Sequence, residues 1–282
     1  MARDRSYPPA PEPLPFSVVD NHAHIEPSQR FPEEPLDLAA HVEAAGQAGV
    51  DGIVQCGCDL EAARWTATEA VLNSAVLGAI AIHPNDAARL ATRPGAYEAA
   101  FQEIADLARR TERVRAVGET GLDYFRTGPE GRGAQLEAFR DHIALAKELG
   151  KALQIHDRDA HYDVIATLLR EGAPERTVFH CFSGDREMAR IAAENGWYCS
   201  FAGTMTFKPA EELRAAAAEL PNDLLLVETD SPYLTPDPFR GRPNAPYMVA
   251  VTTRALAKQM DLPLEAACQQ IRANSERVYG KW

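Results

Sequence analysis

The chain has 282 residues, 45% hydrophobic and 25% charged, with five cysteines and a net charge of −12 at pH 7. That is the composition of a soluble globular protein able to bury a substantial core. An odd number of irregularly spaced cysteines argues against a disulfide framework, and an acidic chain without a basic run argues against an extensive non-specific grip on duplex DNA.

Residues 1–16, MARDRSYPPAPEPLPF, carry five prolines in the first fifteen positions and no apolar signal core. They read as a flexible leader, and residues 17–282 as one domain. From Ser17 onward, short β-rich runs alternate with alanine- and leucine-rich stretches. The runs are SVVDNH, GVDGIVQCG, SAVLGAIAIHP, RVRAVGET, KALQIHD, RTVFHCFS, GWYCSFAG and DLLLVETD, eight candidate strands. The helical stretches between them include EAARWTATEAVLN, AYEAAFQEIADLARRT and AQLEAFRDHIALAKELG. In the last, Leu136, Phe139, Ile143, Leu145, Ala146 and Leu149 fall near one helix face, and Gly150 stands where a helix stops. The CGC at 56–58 lies inside an apolar run and reads as a buried strand pair. The longest apolar stretch, AVLGAIAI, is too short to span a bilayer. Free cysteines fit a reducing cytoplasm. Strands alternating with helices predict parallel pairing through right-handed crossovers, and eight such units predict an α/β fold, a closed (β/α)₈ TIM barrel.

The C-terminal ends of these strands carry the chemistry-bearing residues. Strand one ends in Asp20, His22 and His24, and strand three in His83. Strand four ends in Glu119, and strand five in His156 with Arg158 and Asp159 behind it. Strand six ends in His180, and strand eight in Glu228 and Asp230. In a barrel these ends open on the face where such enzymes keep their chemistry. Five of the eight histidines stand there, and the remaining three, His41, His142 and His161, lie in helical stretches and read as surface residues. A single histidine or carboxylate at a strand end has an ordinary structural explanation. The set is different, because imidazoles and acids are costly to bury unless paired or bound to metal. Residues i and i+2 of a strand project to the same side, so His22 and His24 can grip one cation. Imidazole and carboxylate donors suit zinc, manganese and similar divalent ions, and magnesium where oxygen dominates.

DNHAHI, IHP, GETGLDYF, IHDRDA, FHCFSG, ETDSPYLTP, GRPNAPYMV and NSERVYG, collinear from Val18 to Tyr279, resemble the successive signatures of the TatD family of metal-dependent deoxyribonucleases. The resemblance implies a (β/α)₈ barrel that hydrolyses phosphodiester bonds in DNA as a 3′–5′ exonuclease acting on single strands or ends. It also implies two divalent metal ions: His22, His24 and Asp230 on the first, His156 and His180 on the second, and Glu119 bridging. Asp230 would accept a proton from the nucleophilic water, and His83, Arg158 and Tyr233 would contact substrate. Some positions depart from the family wording. Asn21, Ala23, Ile25 and Glu26 replace Thr, Cys, Leu and Asp of DTHCHLD without removing a ligand. Asp157 replaces a common serine and adds negative charge near substrate, and EPSQRFPEEPLD reads as an acidic rim.

Two rival readings stay open. A related metal barrel could hydrolyse a small-molecule ester, lactone or amide, as the acidic charge favours; such barrels often carry a carboxylated lysine where this chain has Glu119. A non-catalytic metal protein would need a closed site, and six ligands with His83 and Arg158 to spare exceed one. A monomer without membrane attachment completes the expectation.

Overall fold

The computed structural model of the chain describes residues 4–27 and 35–282. Of the stretch read as an acidic rim, residues 28–34 lie outside the described residues. Strand and helix alternate along the chain, and eight parallel strands follow one another in chain order, β1 to β8. This is the topology of the (β/α)₈ class that the alternation predicts. The chain divides into two compact units, residues 1–55 with 184–282, and residues 56–183.

The first unit holds β1 (Val18–Ala23), α1 (Leu38–Gln47), the start of β2 (Val50–Gly57), α7 (Arg186–Glu194), β7 (Tyr198–Phe201), α8 (Glu211–Ala217), β8 (Leu225–Val227), α9 (Val249–Gln259) and α10 (Leu264–Tyr279). Every residue of β1 is buried, including the polar Asp20, Asn21 and His22 that follow its two valines. Val18 pairs with Val50 and Asp20 with Ile53, and a parallel bridge joins Ala23 to Ser231. The end of the first strand and the segment after the last are therefore neighbours. Asp37 and Asp185 start α1 and α7 by accepting from the amides of Ala40 and Met188.

Residues 4–16, read from composition as a leader, make defined hydrogen bonds to the rest of their unit. Tyr247 donates its hydroxyl to the Pro8 carbonyl at 2.6 Å, Arg254 donates to the Glu12 carbonyl at 2.6 Å, and the Leu14 amide donates to the Ala48 carbonyl at 3.0 Å. Leu14 itself is buried. A proline-rich segment lacks donors, but its carbonyls remain good acceptors. Composition alone does not reveal the arginines and tyrosine that use them.

The second unit holds the end of β2, α2 (Leu60–Leu72), β3 (Val76–Ile80), α3 (Pro84–Leu90), α4 (Ala96–Arg110), β4 (Val114–Asp123), α5 (Pro129–Leu149), β5 (Ala152–Arg158), α6 (His161–Glu171) and β6 (Thr177–Phe179). Its helices bury small residues against the strands: Ala63, Ala67, Ala100, Ala108 and Ala138 pack with Ile80, Ile82, Ile104 and Val114. The alanines let the helices approach closely. α5 ends at Gly150 with φ of 57° and ψ of 34°, the left-handed stop its sequence position predicts. β4 and β5 pair Ala116 with Ala152 and Val117 with Leu153. They then resume at Thr120 with Ile155 and Gly121 with His156 after a register shift. Gly118 and Glu119 thus stand opposite Gln154 alone, one extra residue on β4 at the position that carries the Glu119 side chain.

Candidate metal centre

In the first unit, β1 delivers His22, and His24 follows directly after the strand's last residue, Ala23. Their Nε2 atoms are 3.1 Å apart, and the rings meet edge to face with centroids 4.8 Å apart. Asp230 Oδ1 lies 3.5 Å from His24 Nε2 and 3.9 Å from His22 Nε2. Asp230 takes the left-handed conformation, φ of 52°, and its amide donates to the His22 carbonyl at 3.0 Å. The backbone after β8 is thus held against β1 in an uncommon geometry, as functional carboxylates often are. Asp20 reinforces this by accepting from the Thr229 amide at 2.8 Å and the Thr229 hydroxyl at 2.6 Å. Burial pushes the Asp20 carboxyl up to about 7, with the Thr229 hydrogen bonds opposing it. Asn244, fully buried, donates to the carbonyls of Thr229 at 2.9 Å and Tyr233 at 2.6 Å, fixing the loop that carries Asp230.

In the second unit, Glu119 is 4% exposed and gathers its neighbours around one oxygen. Oε1 lies 2.5 Å from His156 Nδ1, 2.9 Å from His180 Nε2 and 3.6 Å from His83 Nε2. Oε2 accepts from the Cys58 thiol at 3.3 Å. Burial alone would raise the Glu119 carboxyl, yet the imidazoles of His180, His83 and His156 hold it well below the usual carboxylate range. His156 faces a second acid through Nε2, 3.3 Å from Asp123 Oδ2. Burial opposes its protonation, but Asp123 and Glu119 raise the imidazole above its ordinary value. Asp123 is fixed in turn by the Asn85 amide at 2.9 Å and the Arg126 backbone amide at 2.8 Å. His83 Nδ1 accepts from the Asn85 amide at 3.1 Å, which leaves the proton on Nε2, facing Glu119.

Each unit by itself therefore presents donors that fit a divalent ion. Two imidazole nitrogens 3.1 Å apart match two ligands about 2.1 Å from one centre at roughly 95°. His83, Glu119 and His156 offer ligand atoms within 4.8 Å of one another. Asp123 meets His156 Nε2 at 3.3 Å, the kind of carboxylate contact that orients an imidazole.

The predicted residues thus gather as His22, His24 and Asp230 in one unit and as Glu119, His156, His180 and His83 in the other. The Arg158 guanidinium lies over the Phe125 ring at 4.0 Å. Tyr233 is 46% exposed, and its amide donates to the Asp230 carbonyl at 2.9 Å. Two of the three remaining histidines correct the surface expectation. His142 is fully buried, donating from Nδ1 to the Ala138 carbonyl and accepting the Ile82 amide on Nε2. His41 is also buried. A histidine accepting and donating to backbone is apolar enough for a core, and helical position alone does not show it. His161 is half-exposed and bonded to Asp157 at 2.8 Å. The strand-pair reading of CGC holds for the buried Cys56, whereas Cys58 turns its sulfur to Glu119. Asp123, Asn244 and Thr229 escaped notice, although the GLDYF, GRPNAPYMV and ETDSPYL stretches contain them. Their role is to hold ligands, which has no spacing signal of its own.

Residues 19–280 match the family model described as TatD related DNase. A Mycobacterium tuberculosis protein named uncharacterized metal-dependent hydrolase TatD is 41% identical over 267 residues, covering 93% of this chain and 98% of the relative. The Bacillus subtilis metal-dependent hydrolase YabD is 36% identical, with 93% and 98% covered. Among solved structures, the TatD homolog YJJV of Escherichia coli superposes with a TM-score of 0.82 at 27% identity, covering 93% of this chain and 97% of that one.

Proposed function

The chain belongs to the TatD-related DNase family and is a metal-dependent hydrolase, and from that premise we propose that it cleaves phosphodiester bonds in DNA. The observation that carries this reading is Glu119, a buried carboxylate with His156, His180 and His83 around one oxygen, on a chain matching the family from 19 to 280. The substrate proposed is a single strand or an end, attacked as a 3′–5′ exonuclease would. The working molecule proposed is a cytoplasmic monomer with one catalytic domain over 17–282. No helix among the described residues is long and apolar enough to cross a membrane.

In this proposal His22, His24 and Asp230 hold one divalent ion, His156 and His180 a second, and Glu119 serves both. Magnesium, manganese and zinc are the candidates, and the imidazole-rich donors favour the latter two. Bound ions would lower the pKa of water toward neutrality and neutralise charge on the phosphoryl oxygens. Asp230, held beside the paired imidazoles, would take the proton from the attacking water. Arg158 offers planar donors to a phosphate oxygen, and Tyr233 and His83 line the approach. The acidic net charge keeps a second reading in view, hydrolysis of a small-molecule ester, lactone or amide. One experiment separates them. Metal-loaded protein is given end-labelled single-stranded DNA beside a panel of esters and lactones. Metal-dependent shortening of the DNA supports the nuclease; turnover confined to the panel overturns it.

A further inference from the structure

Beyond the Gly121–His156 pair, β4 and β5 continue for two more residues, pairing Asp123 with Arg158. Arg158 follows His156 by two positions, so it leaves the same side of the strand. It stands about 7 Å farther along, roughly the reach of one nucleotide. The next residues of β4's end carry two aromatic rings with opposite fates. Tyr124 is tied down: its hydroxyl donates to Asp163 at 2.7 Å and the Arg132 guanidinium covers its ring at 4.0 Å. Phe125 is 61% exposed, with the Arg158 guanidinium against its ring at 4.0 Å.

We infer that Phe125, backed by the Arg158 guanidinium, is a stacking platform for a base of single-stranded nucleic acid, placed just past the end of the strand that carries Glu119. The inference rests on the nuclease reading and specifies how its substrate is held. Charge makes such a device necessary. A chain of net charge −12 repels a polyanion at long range and lacks the basic surface that ordinarily supplies affinity. Base–aromatic stacking is independent of phosphate charge and strong enough to replace part of it. A guanidinium stacked on the ring adds a cation beside the base, where a flanking phosphate can meet it. Of the acids nearby, Asp157 Oδ2 faces His161 at 2.8 Å and Asp163 accepts from the Tyr124 hydroxyl at 2.7 Å. Bases buried inside a duplex cannot reach the platform, so it selects unpaired ends.

The test is binding of a fluorescein-labelled oligothymidylate with phosphorothioate linkages, followed by anisotropy in the metal-loaded protein. Phe125→Ala should weaken binding about tenfold and leave the salt dependence unchanged, since phosphate contacts remain. Phe125→Leu should not rescue it. Phe125→Trp should, with indole fluorescence quenched as the oligonucleotide binds. A blunt duplex should bind more weakly than the single strand. Equal affinity of wild type and Phe125→Ala, full rescue by leucine, or equal binding of duplex would overturn the platform while leaving the nuclease reading intact. Failure of the wild-type protein to bind the oligonucleotide at all would overturn both.

Discussion

Glu119 Oε1 stands 2.9 Å from His180 Nε2, an acid and an imidazole sixty-one residues apart that share a buried contact. The same oxygen also meets His156 and His83. A charged group buried this deeply depends on its partners, and here the partners are metal-ligand types. Glu119→Gln keeps the volume and removes the charge. It should lower metal-dependent hydrolysis by roughly a hundredfold or more, the scale of losing one electrostatic stabiliser. Circular dichroism should still report a folded chain. Full activity in a folded Gln variant would remove Glu119 from the machinery.

Asp123 touches no proposed ion; it steadies His156 from the Nε2 side at 3.3 Å. Outer partners of this kind typically govern metal affinity by 10–100-fold. Asp123→Asn should therefore weaken zinc or manganese binding by about that factor, read by competition with a chromophoric chelator. Unchanged affinity would show that His156 is oriented by something else.

Gly121 has φ of 140°, and an added Cβ would strike the His156 carbonyl oxygen. β4 and β5 can approach closely beside Glu119 only because this residue has no side chain. Gly121→Ala should destabilise the fold by about 1–3 kcal/mol, the usual scale of backbone forced into a sparsely populated region. Urea unfolding measures it, and a variant as stable as the parent would refute the steric account.

The buried His142 makes stability depend on pH. Burial pushes its imidazole down to about 4, against the Ala138 carbonyl contact that favours the proton. Below its ordinary value near 6.5, the unfolded chain binds a proton that the folded chain refuses. Stability is therefore complete above that value and falls as pH drops toward 4, by about 3 kcal/mol for this one group. Urea unfolding at about pH 7.5 and about pH 4.5 should show His142→Gln losing less on acidification than wild type. Comparing the two proteins cancels the contribution of the other histidines. Equal losses would mean that His142 does not control this response.

Much of this architecture is legible in the sequence for a definite reason. The apolar pair Val18 and Val19 opens a strand whose six residues are all buried, and Gly150 marks the end of α5 because a left-handed residue is needed there. The clustering of Glu119 with His156 and His180 follows once each is placed at a strand end. What stays hidden depends on partners remote in sequence. Nothing near His142 announces the Ile82 amide that makes its burial tolerable. Nothing in the proline-rich start announces Arg254 or Tyr247, which hold it. Cys58 shows the same limit: an apolar strand pair is the natural reading of CGC, and nothing in it announces the carboxylate of Glu119, sixty-one residues on, that accepts from the thiol.

The account depends most on acids and imidazoles supplying ligands for two divalent ions that act on DNA. The direct measurement is metal content of the purified protein by mass spectrometry, taken beside cleavage of 3′- and 5′-end-labelled single-stranded DNA before and after chelation. The prediction is two ions per chain, with shortening from the 3′ end that stops on chelation and returns when manganese or zinc is restored. Protein that binds no divalent ion, or that cuts DNA equally well after chelation, would contradict it.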